Sequence, residues 1–364
     1  MSNTKRNGTI DFMRFLFSIL IIFAHCNLPS MYSVPKSIFS SSVLGVEFFF
    51  IVSGFLMAKS KPSDMPVGQA SFRFIVRKYL SFMPVYVFSY IVSITVSAVT
   101  RGWDFEKIFS NIGSSVSEIF MVHMSGLSMF DEHTEFIVGA SWYLSAMLIA
   151  MAVLFPFLYA KRDVFLNIIA PLLSLCLFSY IYIKQGKLSL TTTYADFPVY
   201  YGLLRALAEI SLGVFCFNIS DKIKDVKVTK VMSFILTVVE LGCYVWVLAG
   251  CYYIPYGSWD FAVVLLLAIS VTISFSGKSY SPIIFSAPVF GFLGKFSLSL
   301  YLNHYVWYRL LRDLNMKLDF GTEMLIYLGM AFLSAILCLF TTEIIKELWN
   351  TKKSDIKKVF IAEK

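Results

Sequence analysis

Long apolar runs separated by short polar, Gly- or Pro-containing segments divide this chain. The runs lie over 9–28, 43–59, 77–99, 137–160, 164–183, 200–218, 231–252, 260–276, 288–311 and 323–346. Each is close to the length of about 20 helical residues that crosses about 30 Å of hydrocarbon. The pattern predicts an all-α, polytopic integral membrane protein with about ten transmembrane helices over 1–346, followed by a short basic tail over 347–364. An even number of spans returns the C-terminus to the side of the N-terminus. Lys and Arg choose the side: 20 of them fall in the tails and loops of one face and eight in those of the other, which predicts that both termini and the tail are cytoplasmic.

Composition agrees and narrows the class. The 364 residues have a mean hydropathy of +0.72 and only 15% are charged, against about 25% in soluble domains. A water-soluble enzyme, a disordered chain and a disulfide scaffold are excluded. The net charge of +8 is assigned to the anchoring of inner loops and not to nucleic acid, so the expected partners are membrane lipids and anionic cofactors. The six cysteines have no C-x-x-C spacing and read as small buried residues. Arg14 interrupts the apolar stretch behind Lys5 and Arg6, and no small-x-small site follows, which argues for a span and against a signal peptide. The segment 100–136 is the longest external loop. Its part from Ile108 to Met124 is expected to lie along the interface, with His123 and His133 solvated.

Ionisable residues inside spans are expensive, so each is a functional candidate. The first span holds Asp11, Arg14 and His25, with Ser18 between them. At 100° per residue, Arg14 and His25 project within about 20° of each other and Asp11 and Ser18 within about 60° of that line. Such a stripe predicts a slot lined by protein or water, basic at its inner end, with His25 about 16 Å further out. Glu47 opens the second span; if the two helices are neighbours, it lies at the depth of His25, where a carboxylate fixes an imidazole for general-base chemistry. The alternative is a histidine satisfied by a carbonyl and a solvated Glu47. Arg73, Arg77 and Lys78 form a cluster that reads either as inner-face anchoring or, with Arg14, as a clamp for phosphates.

Further along, Arg205 and Glu209 are four apart and read as an ion pair or as a cavity lining. Trp142 and Tyr143 read as an aromatic belt or a sugar platform, and His304 in the ninth span as a structural or an acceptor-binding histidine. No metal site is expected, because the four histidines lack H-x-x-x-H and H-E-x-x-H spacing.

Several of these residues carry a family likeness. Ile10-Asp11-Phe12-Met13-Arg14-Phe15 leads to His25; Gly45-Val46-Glu47-Phe48-Phe49 precedes Ser53-Gly54-Phe55; Arg77-Lys78 precedes Pro84-Val85-Tyr86. Ser141-Trp142-Tyr143-Leu144-Ser145, Arg205-Ala206-Leu207-Ala208-Glu209 with Gly213, and Phe296 through His304 follow in order. Over nearly its whole length the chain resembles the membrane-bound acyltransferase-3 family, which O-acylates bacterial surface glycans. The resemblance implies a bacterial inner-membrane enzyme with acetyl-CoA or another short acyl-CoA as co-substrate and a glycan or lipid-linked saccharide as acceptor. It carries the essential histidine and arginine to His25 and Arg14 and the acidic position to Glu47. Lys78 and Ser81 stand where the family often has Arg-x-x-Arg, leaving Arg73 and Arg77 as the nearby substitutes.

On this reading His25, Glu47 and Asp11 are the catalytic candidates; Arg14, Arg73, Arg77 and Lys78 bind the donor; and Trp142 and His304 bind acceptor. His25 is either a general base or a covalent acyl carrier. The rival readings are a polytopic secondary transporter, against which stands the lack of two related halves, and a noncatalytic component of a polysaccharide assembly complex.

Overall fold

A computed structural model describes residues 6–25, 41–60, 64–126, 136–188, 190–196, 198–316 and 318–362, with side chains to residue 348. The described residues contain no strand. Fifteen α-helices follow in order: α1 (Gly8–Ala24), α2 (Gly45–Ala58), α3 (Val67–Arg101), α4 (Phe105–Ser114), α5 (Val116–Ile119), α6 (Trp142–Ala160), α7 (Arg162–Val164), α8 (Ala170–Gln185), α9 (Tyr201–Ile223), α10 (Lys230–Tyr253), α11 (Trp259–Ser276), α12 (Ser281–Ile284), α13 (Pro288–Asn303), α14 (Tyr305–Leu314) and α15 (Phe320–Ala362). A π-helical turn, Phe165–Ile169, joins α7 to α8.

Among the described residues, seven helical segments are long and apolar enough to cross a membrane: Val67–Arg101, Gly139–Ala160, Arg162–Gln185, Tyr201–Ile223, Lys230–Tyr253, Trp259–Ser276 and Phe320–Leu348. The predicted spans 9–28, 43–59 and 288–311 are shorter helices of 17, 14 and 16 residues. The last is a correction: one predicted helix is two, α13 and α14, with His304 between them. Asn303 and His304 turn their side chains onto the carbonyls of Ser299 and Tyr301, so side chains take acceptors that a continuing backbone ladder would use. Large apolar side chains such as Phe72, Ile183, Leu325 and Phe340 stand exposed on the outside of the bundle, as lipid-facing residues do. The chain is a multi-pass membrane protein. Cys176 joins that outer face, against the expectation of burial, while Cys216, Cys251 and Cys338 are buried.

Local signals set the ends. The Asn7 side chain accepts from the backbone N–H groups of Thr9 and Ile10 to start α1, and the Thr229 hydroxyl accepts from Met232 to start α10. Gly102 and Gly186 stop α3 and α8 at φ of 61° and 63°, where a side chain is disfavoured.

Tight packing centres on small residues. α2 lies against α9 so closely that a methyl at Gly54 would overlap the Ile210 carbonyl and one at Gly213 the Ile51 carbonyl. Gly54→Ala or Gly213→Ala is therefore expected to cost about 1–3 kcal/mol, read as a lower thermal unfolding midpoint in detergent. Gly242→Ala, inside α10 where a methyl meets nothing within 4 Å, should hold that midpoint or raise it, since Ala is the better helix former. α1 lies against α13 in the same way, with Gly294 touching Asp11 and the Ser18 hydroxyl between the carbonyls of Arg14 and Ser297. On the other flank α3 meets α6, where Phe74 stacks on Phe155 with centroids 4.0 Å apart.

Candidate functional site

A cavity of about 350 Å³ opens between α1, α2, α3, α6, α13 and α15, at the end of the bundle where α1 begins. Helical spacing builds its walls. From α3 come Lys78, Ser81, Phe82 and Val85, and from α15 come Leu339, Thr342, Glu343 and Lys346; both sets repeat as i, i+3, i+4, i+7, one stripe of a helix. α13 presents Gly294, Lys295, Leu298 and Tyr301, α2 presents Phe49 and Ser53, and α6 presents Tyr143, Leu144 and Met147.

Charge is segregated within it. Arg6, Arg14, Lys78, Lys295 and Lys346 line the cavity, against one lining carboxylate, Glu343. Glu343 is spent on Lys346 at 3.0 Å, and Arg6 pairs with Asp11, Nε to Oδ2, at 3.0 Å. Among the described residues, Arg14, Lys78 and Lys295 face the cavity with no carboxylate in an ion pair with them. The rest of the wall is apolar and aromatic, and Tyr143 reaches the Ser53 hydroxyl at 3.3 Å. The result is a cationic mouth leading to an apolar interior, of the size of a small-molecule site.

The structure sorts the residues singled out by sequence. Arg14 and Lys78 meet at the mouth as expected. Arg73 and Arg77 do not line it: both are exposed, and Arg73 contacts the Met65 sulfur. On a helix Arg77 is 100° from Lys78 and Arg73 about 140°, so the stripe that carries Lys78 turns both arginines away. Asp11 holds Arg6 at the mouth, about 21 Å along the helix from His25 by its 14-residue separation, and is not a partner of the imidazole. Lys295 and Lys346 were not singled out, since only the fold brings α13 and α15 beside α1.

Glu47 is the larger correction. Its Oε1 accepts from the Arg205 guanidinium, and Arg205 Nε lies 3.8 Å from Glu209, with all three side chains buried. Arg205 also donates to the Leu190 carbonyl at 3.0 Å and sits 5.7 Å from the Trp142 ring centroid. Glu47 therefore ties α2 to α9, and the paired reading of Arg205 and Glu209 holds with Glu47 added. Trp142 is buried against Arg205 and Phe50; its neighbour Tyr143 takes the place on the wall.

His25 closes α1 and remains partly accessible. Its Nδ1 is 2.9 Å from the Ile21 carbonyl and 3.3 Å from Nε2 of His304. The two rings are 5.1 Å apart, and the Tyr305 ring stands edge-on to His25 at 5.2 Å. His304 is fully buried and lines no part of the cavity. The cavity lining ends at Phe49, Tyr143 and Tyr301, a trio with centroids 5.9 to 6.1 Å apart. Tyr301 in turn lies 6.0 Å from His304. The expected slot thus exists along the part of α1 that carries Arg14, and Tyr301 of the aromatic trio stands between its lining and the histidine pair.

A buried clamp ties the segment before α6 to α5 and α14. Glu118 accepts from the N–H groups of Ile137 and Val138 at 2.7 and 2.8 Å and from the Ser141 hydroxyl at 2.9 Å. Arg309 donates to the carbonyls of Phe136 and Ile137. His123 is not solvated; it is buried against Phe136 and 3.4 Å from Ser141, and burial pulls its pKa down to about 3. His133 lies outside the described residues. Burial pushes the Glu118 carboxyl up to about 7, opposed by those hydrogen bonds and by Arg309. An acid whose pKa rises on folding stabilises the fold when protonated, fully below about 4.5 and decreasingly as pH climbs through about 7. The thermal midpoint should fall between about pH 5 and pH 8, and Glu118→Gln should flatten that slope.

With this geometry in hand, comparison with protein families gives a match to the acyltransferase domain over residues 7–343. The chain belongs to the acyltransferase-3 family. No curated protein and no solved structure matches it. This acyltransferase-3 protein is thus a multi-pass membrane acyltransferase, and the aromatic trio, the histidine pair and all of the cavity lining except Arg6 and Lys346 lie within the matched residues.

Proposed function

We propose that this acyltransferase moves an acyl group, acetyl by family likeness, from acyl-CoA to a hydroxyl of a cell-surface or lipid-linked glycan in the bacterial inner membrane. The observation that carries the reading is the segregated cavity: five cations at its mouth and an apolar, aromatic interior. An acyl-CoA has that polarity, with phosphates at one end and a thin arm ending in a thioester at the other. Arg14, Lys78, Lys295 and Lys346 would hold the phosphates through charge-assisted hydrogen bonds. The excess of Lys and Arg on the same side supports a cytoplasmic mouth.

The arm would run along α1, displacing the Phe49, Tyr143 and Tyr301 rings, toward His25. There the imidazole takes the proton of the acceptor hydroxyl as its oxygen attacks the thioester carbonyl carbon. Collapse of the tetrahedral intermediate breaks the C–S bond, and the imidazolium returns the proton to the departing sulfur, giving an ester and free thiol.

Purified protein in lipid vesicles tests the class of function. Thioester-dependent acylation of a glycan with thiol release is the expected result; solute flux without thiol release would establish a transporter in its place.

A further inference from the structure

Resting on the reading of His25 as the reacting imidazole, we infer that His304 is a positioning residue that locks His25 in its Nδ1–H tautomer and leaves Nε2 as the atom that takes the acceptor's proton. The argument is a count of donors and acceptors. Nδ1 of His304 is 2.6 Å from the Tyr301 carbonyl. A carbonyl only accepts, so that nitrogen carries the hydrogen, and in a neutral ring Nε2 then carries a lone pair. This lone pair faces Nδ1 of His25 at 3.3 Å, and the Ile21 carbonyl faces the same nitrogen at 2.9 Å. Two acceptors converge on one atom, so Nδ1 of His25 holds its hydrogen and shares it between them. The other tautomer would set three lone pairs against each other with no proton among them. Nε2 of His25 makes no hydrogen bond to a described residue.

The break between α13 and α14 supplies the anchor. Tyr301 is one of the last four residues of α13, whose carbonyls lack partners within the helix, and His304 satisfies it. Asn303 is turned away onto Ser299, and the Tyr305 ring stands edge-on to both imidazoles. Orientation of a catalytic histidine is more commonly the work of a carboxylate. A neutral imidazole does the same without placing a net charge in the membrane interior. When Nε2 takes the proton, the new N–H arrangement keeps both acceptors on the Nδ1 side of the imidazolium.

The first test needs no variant. Nitrogen-15 spectra of histidine-labelled protein in detergent, without substrate, should show His25 protonated at Nδ1 and bare at Nε2; protonation at Nε2 overturns the inference. His304→Leu, which leaves the Ile21 carbonyl as the remaining acceptor on Nδ1, should then raise the Nε2–H fraction of His25 above its wild-type level and lower kcat by about 10–100-fold with the acyl-CoA KM unchanged. His304→Gln, which keeps an amide acceptor, should recover part of that loss, and an unchanged kcat in His304→Leu overturns the assignment. His25→Ala is the separate control. Full transfer by that variant removes His25 from the reaction and overturns the functional reading, whereas an inactive His25→Ala with a wild-type Nε2–H tautomer overturns the positioning role alone.

Discussion

Replacing His25 with alanine is expected to lower acyl transfer by about 10²–10⁴-fold, the range over which a positioned base contributes to proton transfer. Donor binding should be retained, because the cationic mouth lies at the opposite end of α1 and His25 lines no part of the cavity. The fold should be retained as well: His25 caps α1 without an ion pair and is partly accessible, so its loss leaves no buried charge uncompensated. Single-turnover assays with saturating acyl-CoA, together with a binding measurement on the same variant, separate the two steps. Transfer near the wild-type rate would place the chemistry elsewhere.

Arg14→Gln is expected to weaken acyl-CoA binding by about 10–100-fold, since a hydrogen bond to a charged group is worth about 1.5–3 kcal/mol. Arg14 has no carboxylate partner among the described residues, so the substitution removes a cation aimed at the cavity and breaks no ion pair. The loss should appear in KM more than in kcat, and raising the salt concentration should narrow the gap between variant and wild type. Arg77→Gln is the matched control. It removes an equal charge four residues along from Arg73, on the exposed face of α3, and should leave donor affinity unchanged. An equal loss from both variants would mean that general positive potential, and not the cavity, captures the donor.

Much of this was legible in the chain before folding. Apolar runs located the long helices, because a hydrocarbon solvent demands both length and internal hydrogen bonding, but they missed the polar extensions of α3 back to Val67 and of α15 on to Ala362, which the apolar pattern does not mark. The polar stripe of α1 correctly brought Arg14 to a lined cavity, since eleven residues return a helix almost to its starting direction. Lys295 and Lys346 were not legible: each is a lone cation on a distant helix, and only the packing of α13 and α15 around α1 gives them a common target. Glu47 was misplaced for a related reason. Depth in the membrane set it level with His25, but depth says nothing of rotation about the helix axis, and its face of α2 turns to Arg205 on α9. Arg73 and Arg77 show the same limit over one turn, where the stripe containing Lys78 was the informative pattern.

The most direct measurement is a cryo-electron microscopy structure with a non-hydrolysable thioether analogue of acyl-CoA. The account predicts phosphate density in hydrogen-bond contact with Arg14, Lys78, Lys295 and Lys346, with the arm passing the displaced Phe49, Tyr143 and Tyr301 rings to bring its acyl carbon beside Nε2 of His25. An analogue bound at the opposite face, or one whose phosphates avoid this mouth, would contradict it.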